Sequence, residues 1–146
     1  MKMTHFKKML SFILCLIIVA AMTLLAVGCN GTSGEEIPTF TSTETKVLGS
    51  GQTKFTFTCV DAKGNEAKFE ISTDKQTVGA ALLEHKIIEG EDSQYGLYVK
   101  TVNGVTLDYD KHKMYWAFYA DGAYALSGVS ETEIKAGATY TYKAEK

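Results

Sequence analysis

The chain of 146 residues contains no arginine: all 15 of its basic residues are lysine. A bidentate clamp on phosphate or carboxylate, which needs the flat guanidinium fork, is therefore excluded. Once the first 28 residues are set aside, 12 lysines face 17 acidic residues, a net charge of −5. Nucleic acid is not a partner, because binding it requires basic patches that neutralise phosphates. Histidine is scarce as well. His5 lies in the N-terminal segment, and neither His85 nor His112 stands at metal-ligand spacing from a cysteine or another histidine. Ser127-Gly128-Val129 is not a nucleophile elbow, and no glycine-rich phosphate loop leads from a strand into a helix. Asp108 and Asp110 offer too few oxygens for calcium and read as a solvated loop. Nothing supplies the titratable pair that an enzyme would need in a cleft, so the chain is read as a non-enzyme requiring no cofactor and no metal.

What is present begins with an address. Lys2, Lys7 and Lys8 precede an apolar run from Met9 to Val27 broken only by Ser11 and Thr23. Such a segment targets the chain and takes no part in the fold. It ends in Leu25-Ala26-Val27-Gly28-Cys29, which resembles the lipobox of bacterial lipoproteins with leucine displaced by one position. That resemblance implies cleavage after Gly28, lipidation of Cys29, and a mature protein held on the extracytoplasmic side of the cell membrane, as in a Gram-positive bacterium. Each buried CH₂ of an acyl chain contributes about 0.8 kcal/mol, so two or three chains make a durable anchor. With Cys15 in the signal and Cys29 acylated, Cys59 stands alone, and no intramolecular disulfide can form. The mature domain must hold itself by packing, for which about 100 residues suffice.

Residues 29–51 are rich in Thr, Ser, Gly and Glu and read as the lipidated cysteine followed by a flexible linker. If coil-like, some 20 residues span about 25 Å. From Lys54 the pattern has period two. Phe55, Phe57 and Cys59 alternate with Thr56, Thr58 and Val60, a turn through Gly64 follows, and Phe69 and Ile71 alternate with charged neighbours. This predicts a hairpin, with Cys59 as a buried small hydrophobe. Val78, Ala81, Leu82 and His85 then fall on one helical face behind Thr77, predicting a short capped helix over residues 77–86. Gly79 inside it costs about 1 kcal/mol relative to alanine, which packing must offset.

After an acidic break at Glu89, Glu91 and Asp92, strands over residues 95–102 and 105–107 flank Asn103-Gly104, the dipeptide suited to a type I′ turn. Residues 108–113 read as a charged loop. Met114 to Ala120 is the strongest strand, with Met114, Trp116 and Phe118 on one face and Tyr115 and Tyr119 on the other. Asp121-Gly122 and Ala136-Gly137 turn the chain, and a last strand places Tyr140 and Tyr142 on one face. Strand, strand, helix and several strands make one α+β domain: a mixed sheet of about five to six strands gripping one short helix, the β-grasp arrangement.

The runs Tyr95-Gly-Leu-Tyr-Val-Lys-Thr-Val-Asn-Gly-Val, Tyr115-Trp-Ala-Phe-Tyr-Ala-Asp-Gly, Ser127-Gly-Val and Ile134-Lys-Ala-Gly closing on Tyr140-Thr-Tyr resemble the transcobalamin-like carboxy-terminal β-domain over residues 52–144. Asp121-Gly122 stands where that family has Asn-Gly, and Gly137-Ala138 where it has Gly-Asp. The resemblance implies a β-grasp-like domain that covers one side of a cobalamin while a helical domain, not matched here, holds the other. A protein partner or a second copy would then complete the site.

All eight tyrosines fall between Tyr95 and Tyr142, together with the single tryptophan. Tyrosine and tryptophan give large contact area at low entropic cost, so the set is read as a platform for a flat, partly apolar ligand. Tyr98, Tyr115 and Tyr124 are the surface candidates. Trp116 joins them as a ligand-binding candidate, although its alternation with Met114 and Phe118 also suits a core position. Two functions follow: a membrane-anchored binding module for cobalamin or another corrinoid, and a surface module that binds a protein or wall component with no small-molecule ligand.

Overall fold

A computed structural model describes residues 36–146; the targeting segment, Gly28 and Cys29 lie outside the described residues. The elements run β1 (Lys46–Leu48), β2 (Thr53–Val60), β3 (Glu66–Thr73), α1 (Val78–Glu84), β4 (Ile88–Ser93), β5 (Gly96–Val102), β6 (Val105–Thr106), α2 (Tyr109–His112), β7 (Tyr115–Ala120), β8 (Ala123–Tyr124) and β9 (Thr139–Glu145). Two sheets result. Six strands form one in the order β1-β3-β2-β9-β7-β8, and β4-β5-β6 form the other. The larger is mixed: β2 pairs antiparallel with β3 and parallel with β9, and β9 pairs antiparallel with β7. This is a small α+β domain with its first long strand and its last strand side by side at the centre, as a β-grasp requires.

Register explains the core. Phe57 lies across from Phe69 and Tyr140, and Phe118 across from Tyr142, so these rings share one face and pack at centroid distances of 5.0 to 6.2 Å. Val78, Ala81 and Leu82 of α1 press on the same core from their helical stripe. The opposite face carries threonines such as Thr58 and Thr141, whose hydroxyls meet at 2.8 Å.

The helix begins as its sequence predicts, with Thr77 Oγ1 accepting from the Ala80 N–H, but it ends at Glu84, and His85 serves as its C-cap. Gly79 is explained by a close approach: a Cβ there would lie 2.9 Å from Ser130 Cα, and the Gly79 N–H donates to Val129 O at 2.9 Å. The helix start therefore docks directly on the backbone that follows β8. Asn103 and Gly104 both adopt positive φ, 47° and 78°, as the type I′ turn demands.

Four expectations need correction. The span 29–51 is not linker throughout, because Phe40 is buried against Trp116, with rings stacked at 6.0 Å, and β1 pairs parallel with β3. Asp61 fastens this segment by accepting the Phe40 N–H at 3.0 Å. The acidic stretch after α1 is a strand, β4, in which only Ile88 is buried; charges along an exposed edge strand deter pairing with other chains and hide it from a pattern search. Residues 108–113 are not an open loop, since Asp108 Oδ1 caps α2 by accepting from Asp110 N–H and His112 Nδ1 accepts the Asp108 N–H. Finally, the single mixed sheet has a separate three-stranded companion.

Candidate functional site

The site is built where β7 loses its neighbour. Strand β8 pairs with β7 only through Tyr119 and Ala120, and Ala125 N–H donates to Phe118 O before the chain turns away. Beside the first half of β7 this leaves an open cleft of about 630 Å³, walled by β5 with its preceding turn and by residues 124–129. Tyr98, Tyr115, Trp116 and Tyr124, singled out from the sequence, all line it. Three separate stretches of chain thus deliver aromatic rings to one place.

Each ring is held differently. Trp116 is nearly buried, its indole N–H donating to Lys100 O at 3.1 Å and its ring backed by Phe40, so it forms floor rather than rim. Tyr98 and Tyr124 are exposed and stand at the mouth. Tyr119 steadies Tyr124 through an edge contact at 5.4 Å and is itself tied by its hydroxyl to Glu145 Oε1 at 2.7 Å. The phenol of Tyr124 raises the pKa of Tyr115, with burial, a hydrogen bond to Tyr124, and the charges of Glu145 and Tyr109 adding to the effect. Tyr119 is raised first by its bond to Glu145. These phenols stay neutral at physiological pH.

Sequence reasoning missed Tyr95, Leu126 and Tyr142, which also line the cleft. Tyr95 is 82% exposed and Leu126 fully exposed at 105%, apolar groups presented to solvent on turns. A leucine set among Ala, Ser and Gly in a turn-rich stretch was the available signal for Leu126. The wall at residues 127–130 is anchored from below: Gly79 N–H reaches Val129 O, Val78 N–H reaches Thr132 O, and Ser130 Oγ accepts from Leu97 N–H. Among the described residues, Glu131 is the one charged side chain on the lining.

The remaining chemistry-bearing groups lie elsewhere. Cys59 is sealed in the core, and burial, with help from Glu66 and Asp61 and against a bond to Ala67 O, pushes its thiol up to about 12. His85 lines a polar hollow of about 410 Å³ with Asp74, Lys75 and Glu84. Among the described residues no group of three or more His, Cys, Asp or Glu side chains could hold a metal ion.

A family model described as a domain of unknown function, DUF4430, matches residues 76–146. No curated protein matches the chain by sequence. Among solved structures, a protein from Ruminococcus gnavus ATCC 29149 for which metal binding has been suggested is similar with a TM-score of 0.62 and 24% identity, over 65% of this chain and 98% of that one. Haptocorrin in complex with Cbi is similar with a TM-score of 0.52 and 11% identity, over 64% of this chain and 25% of that one. The chain spans about a quarter of the length of haptocorrin. At these identities the likeness establishes the fold alone: a small α+β domain.

Proposed function

We propose that this chain is a binding module, anchored by lipid at Cys29 to the extracytoplasmic face of a cell membrane, that holds a flat, partly apolar ligand of the corrinoid class and catalyses no reaction on it. The observation that carries the reading is the convergence of Tyr98, Tyr115, Trp116 and Tyr124 on one open cleft of about 630 Å³. That volume lies within the range of small-molecule sites, roughly 300 to 1,000 Å³. Aromatic lining with few polar groups suits a large conjugated ring, and haptocorrin, part of which has this fold, has been solved in complex with Cbi. An open cleft covers one side of a corrinoid only, so a partner protein or a second copy closes the other.

The test is a titration of the full chain in detergent with cobinamide and cobalamin, followed by calorimetry and by the fluorescence of Trp116, the single tryptophan. Saturable binding at micromolar concentration or tighter supports the reading. Absence of binding to a folded chain removes it in favour of a surface module that contacts another protein. The exposure of Leu126 and Tyr95, both on the lining of this cleft, favours that second reading, because exposed apolar patches commonly mark protein contacts.

A further inference from the structure

Tyr142 lies on the floor of the cleft and is only 3% exposed. Its ring is packed against Phe118 and Phe57, at 5.0 and 6.2 Å. Its hydroxyl has no hydrogen-bond partner among the described residues, and burial alone moves its pKa upward. Yet no buried side-chain oxygen or nitrogen among the described residues is both sealed off and unpaired. The hydroxyl therefore keeps some exposure, and Tyr142 is one of the residues that line the cleft. A polar group with some exposure is met by water or by a ligand, since leaving one unpaired away from water costs about 1–3 kcal/mol.

We infer that the Tyr142 hydroxyl is the polar anchor of the cleft, donating a hydrogen bond to a neutral acceptor, such as an amide carbonyl, on a flat ligand seated against Trp116 and Phe118. The acceptor is neutral rather than anionic because, among the described residues, the lining has no lysine and Glu131 is its one charged side chain. An anion would lose hydration and gain no cation in return. A phenol at this depth stays protonated and so keeps its donor. The assignment rests on the binding function proposed above and narrows it: the peripheral amides of a corrinoid meet the requirement, whereas a carboxylate in their place does not.

The experiment uses the full chain in detergent and its Tyr142→Phe variant, which removes the hydroxyl alone. Thermal unfolding is recorded without ligand, and affinity is measured for cobinamide and for riboflavin, a flat neutral compound with carbonyl acceptors that is not a corrinoid. The expected result is an unchanged or slightly raised unfolding midpoint together with a five- to tenfold loss of affinity, about what one buried hydrogen bond contributes. Equal affinity in variant and wild type, where the wild type binds, overturns the assignment and leaves the corrinoid reading standing. A markedly lower midpoint, or failure of the variant to fold, also overturns it, because the hydroxyl then has a partner within the protein. Tyr142-dependent binding of riboflavin without cobinamide keeps the assignment and removes the corrinoid. If the wild type binds neither probe, both fall.

Discussion

Tyr140 and Tyr142 stand two residues apart on β9, point to the same face, and are 2% and 3% exposed. At Tyr140 the hydroxyl donates to Glu133 O at 3.1 Å and accepts from Lys135 N–H at 3.0 Å, closing that end of the sheet. Tyr142 has neither bond and lines the cleft. The Tyr140 end of the strand thus pairs its tyrosine hydroxyl within the domain, and the Tyr142 end leaves one without a partner among the described residues. Polar satisfaction, rather than burial, separates the two.

The largest effect is expected at Asp61, which follows Val60 at the Tyr142 end of the sheet and accepts hydrogen bonds from Phe40 N–H, Lys63 N–H, Asn65 N–H and Asn65 Nδ2. Burial by itself would raise its pKa, but these four donors outweigh that and hold the carboxyl below its ordinary 3.8. Asp61→Ala is expected to cost about 3 kcal/mol in urea unfolding, since it strands several donors at once. The pH dependence follows from the sign of the shift: a depressed folded-state pKa contributes stability that is complete above about pH 4 and lost as pH falls through the folded value. An Asp61→Asn variant should therefore show a flatter acid limb than wild type, and equal acid limbs would remove Asp61 from this role.

Next in size is Gly79→Ala. Helix propensity alone predicts a gain of about 1 kcal/mol, but the new Cβ would press on Ser130, and overpacking of this kind costs about 1–3 kcal/mol. Calorimetric unfolding should show net destabilisation, with disturbance passed to the cleft wall at Val129. Tyr140→Phe should cost about 1.5 kcal/mol through its two lost bonds, measured by the same means and set against a Tyr142→Phe variant that loses nothing. A Tyr140→Phe variant as stable as wild type would erase the contrast between the two ends. Smallest is Leu126→Ser at the cleft mouth, expected within about 0.5 kcal/mol of wild-type stability because an exposed side chain has little to lose. Capture of ligand should weaken all the same.

Elements that depend on local chemistry were legible in the sequence. The Asn103-Gly104 turn needs two positive φ angles, the Thr77 cap needs a side-chain oxygen, and the alternation of Phe55, Phe57 and Cys59 needs only period two. Elements that depend on distant partners were not. Phe40 sits in a polar stretch and acquires meaning only through Trp116 and Asp61, far along the chain. Strand β4 has a single buried residue, so no alternation announces it. For the site, the rings of Tyr98, Tyr115, Trp116 and Tyr124 could be named, but their meeting depends on where β8 stops pairing, and the special position of Tyr142 depends on a missing bond. Alternation on a strand reports burial and says nothing of which buried hydroxyl lacks a partner.

The most direct measurement is nuclear magnetic resonance mapping of the labelled chain as cobinamide is added. The account predicts saturable shifts gathered at Tyr95, Tyr98, Tyr115, Trp116, Tyr124 and Leu126, with the surroundings of Tyr140 and His85 unmoved. Saturable shifts centred on the hollow at His85, or none in a folded chain, would contradict it.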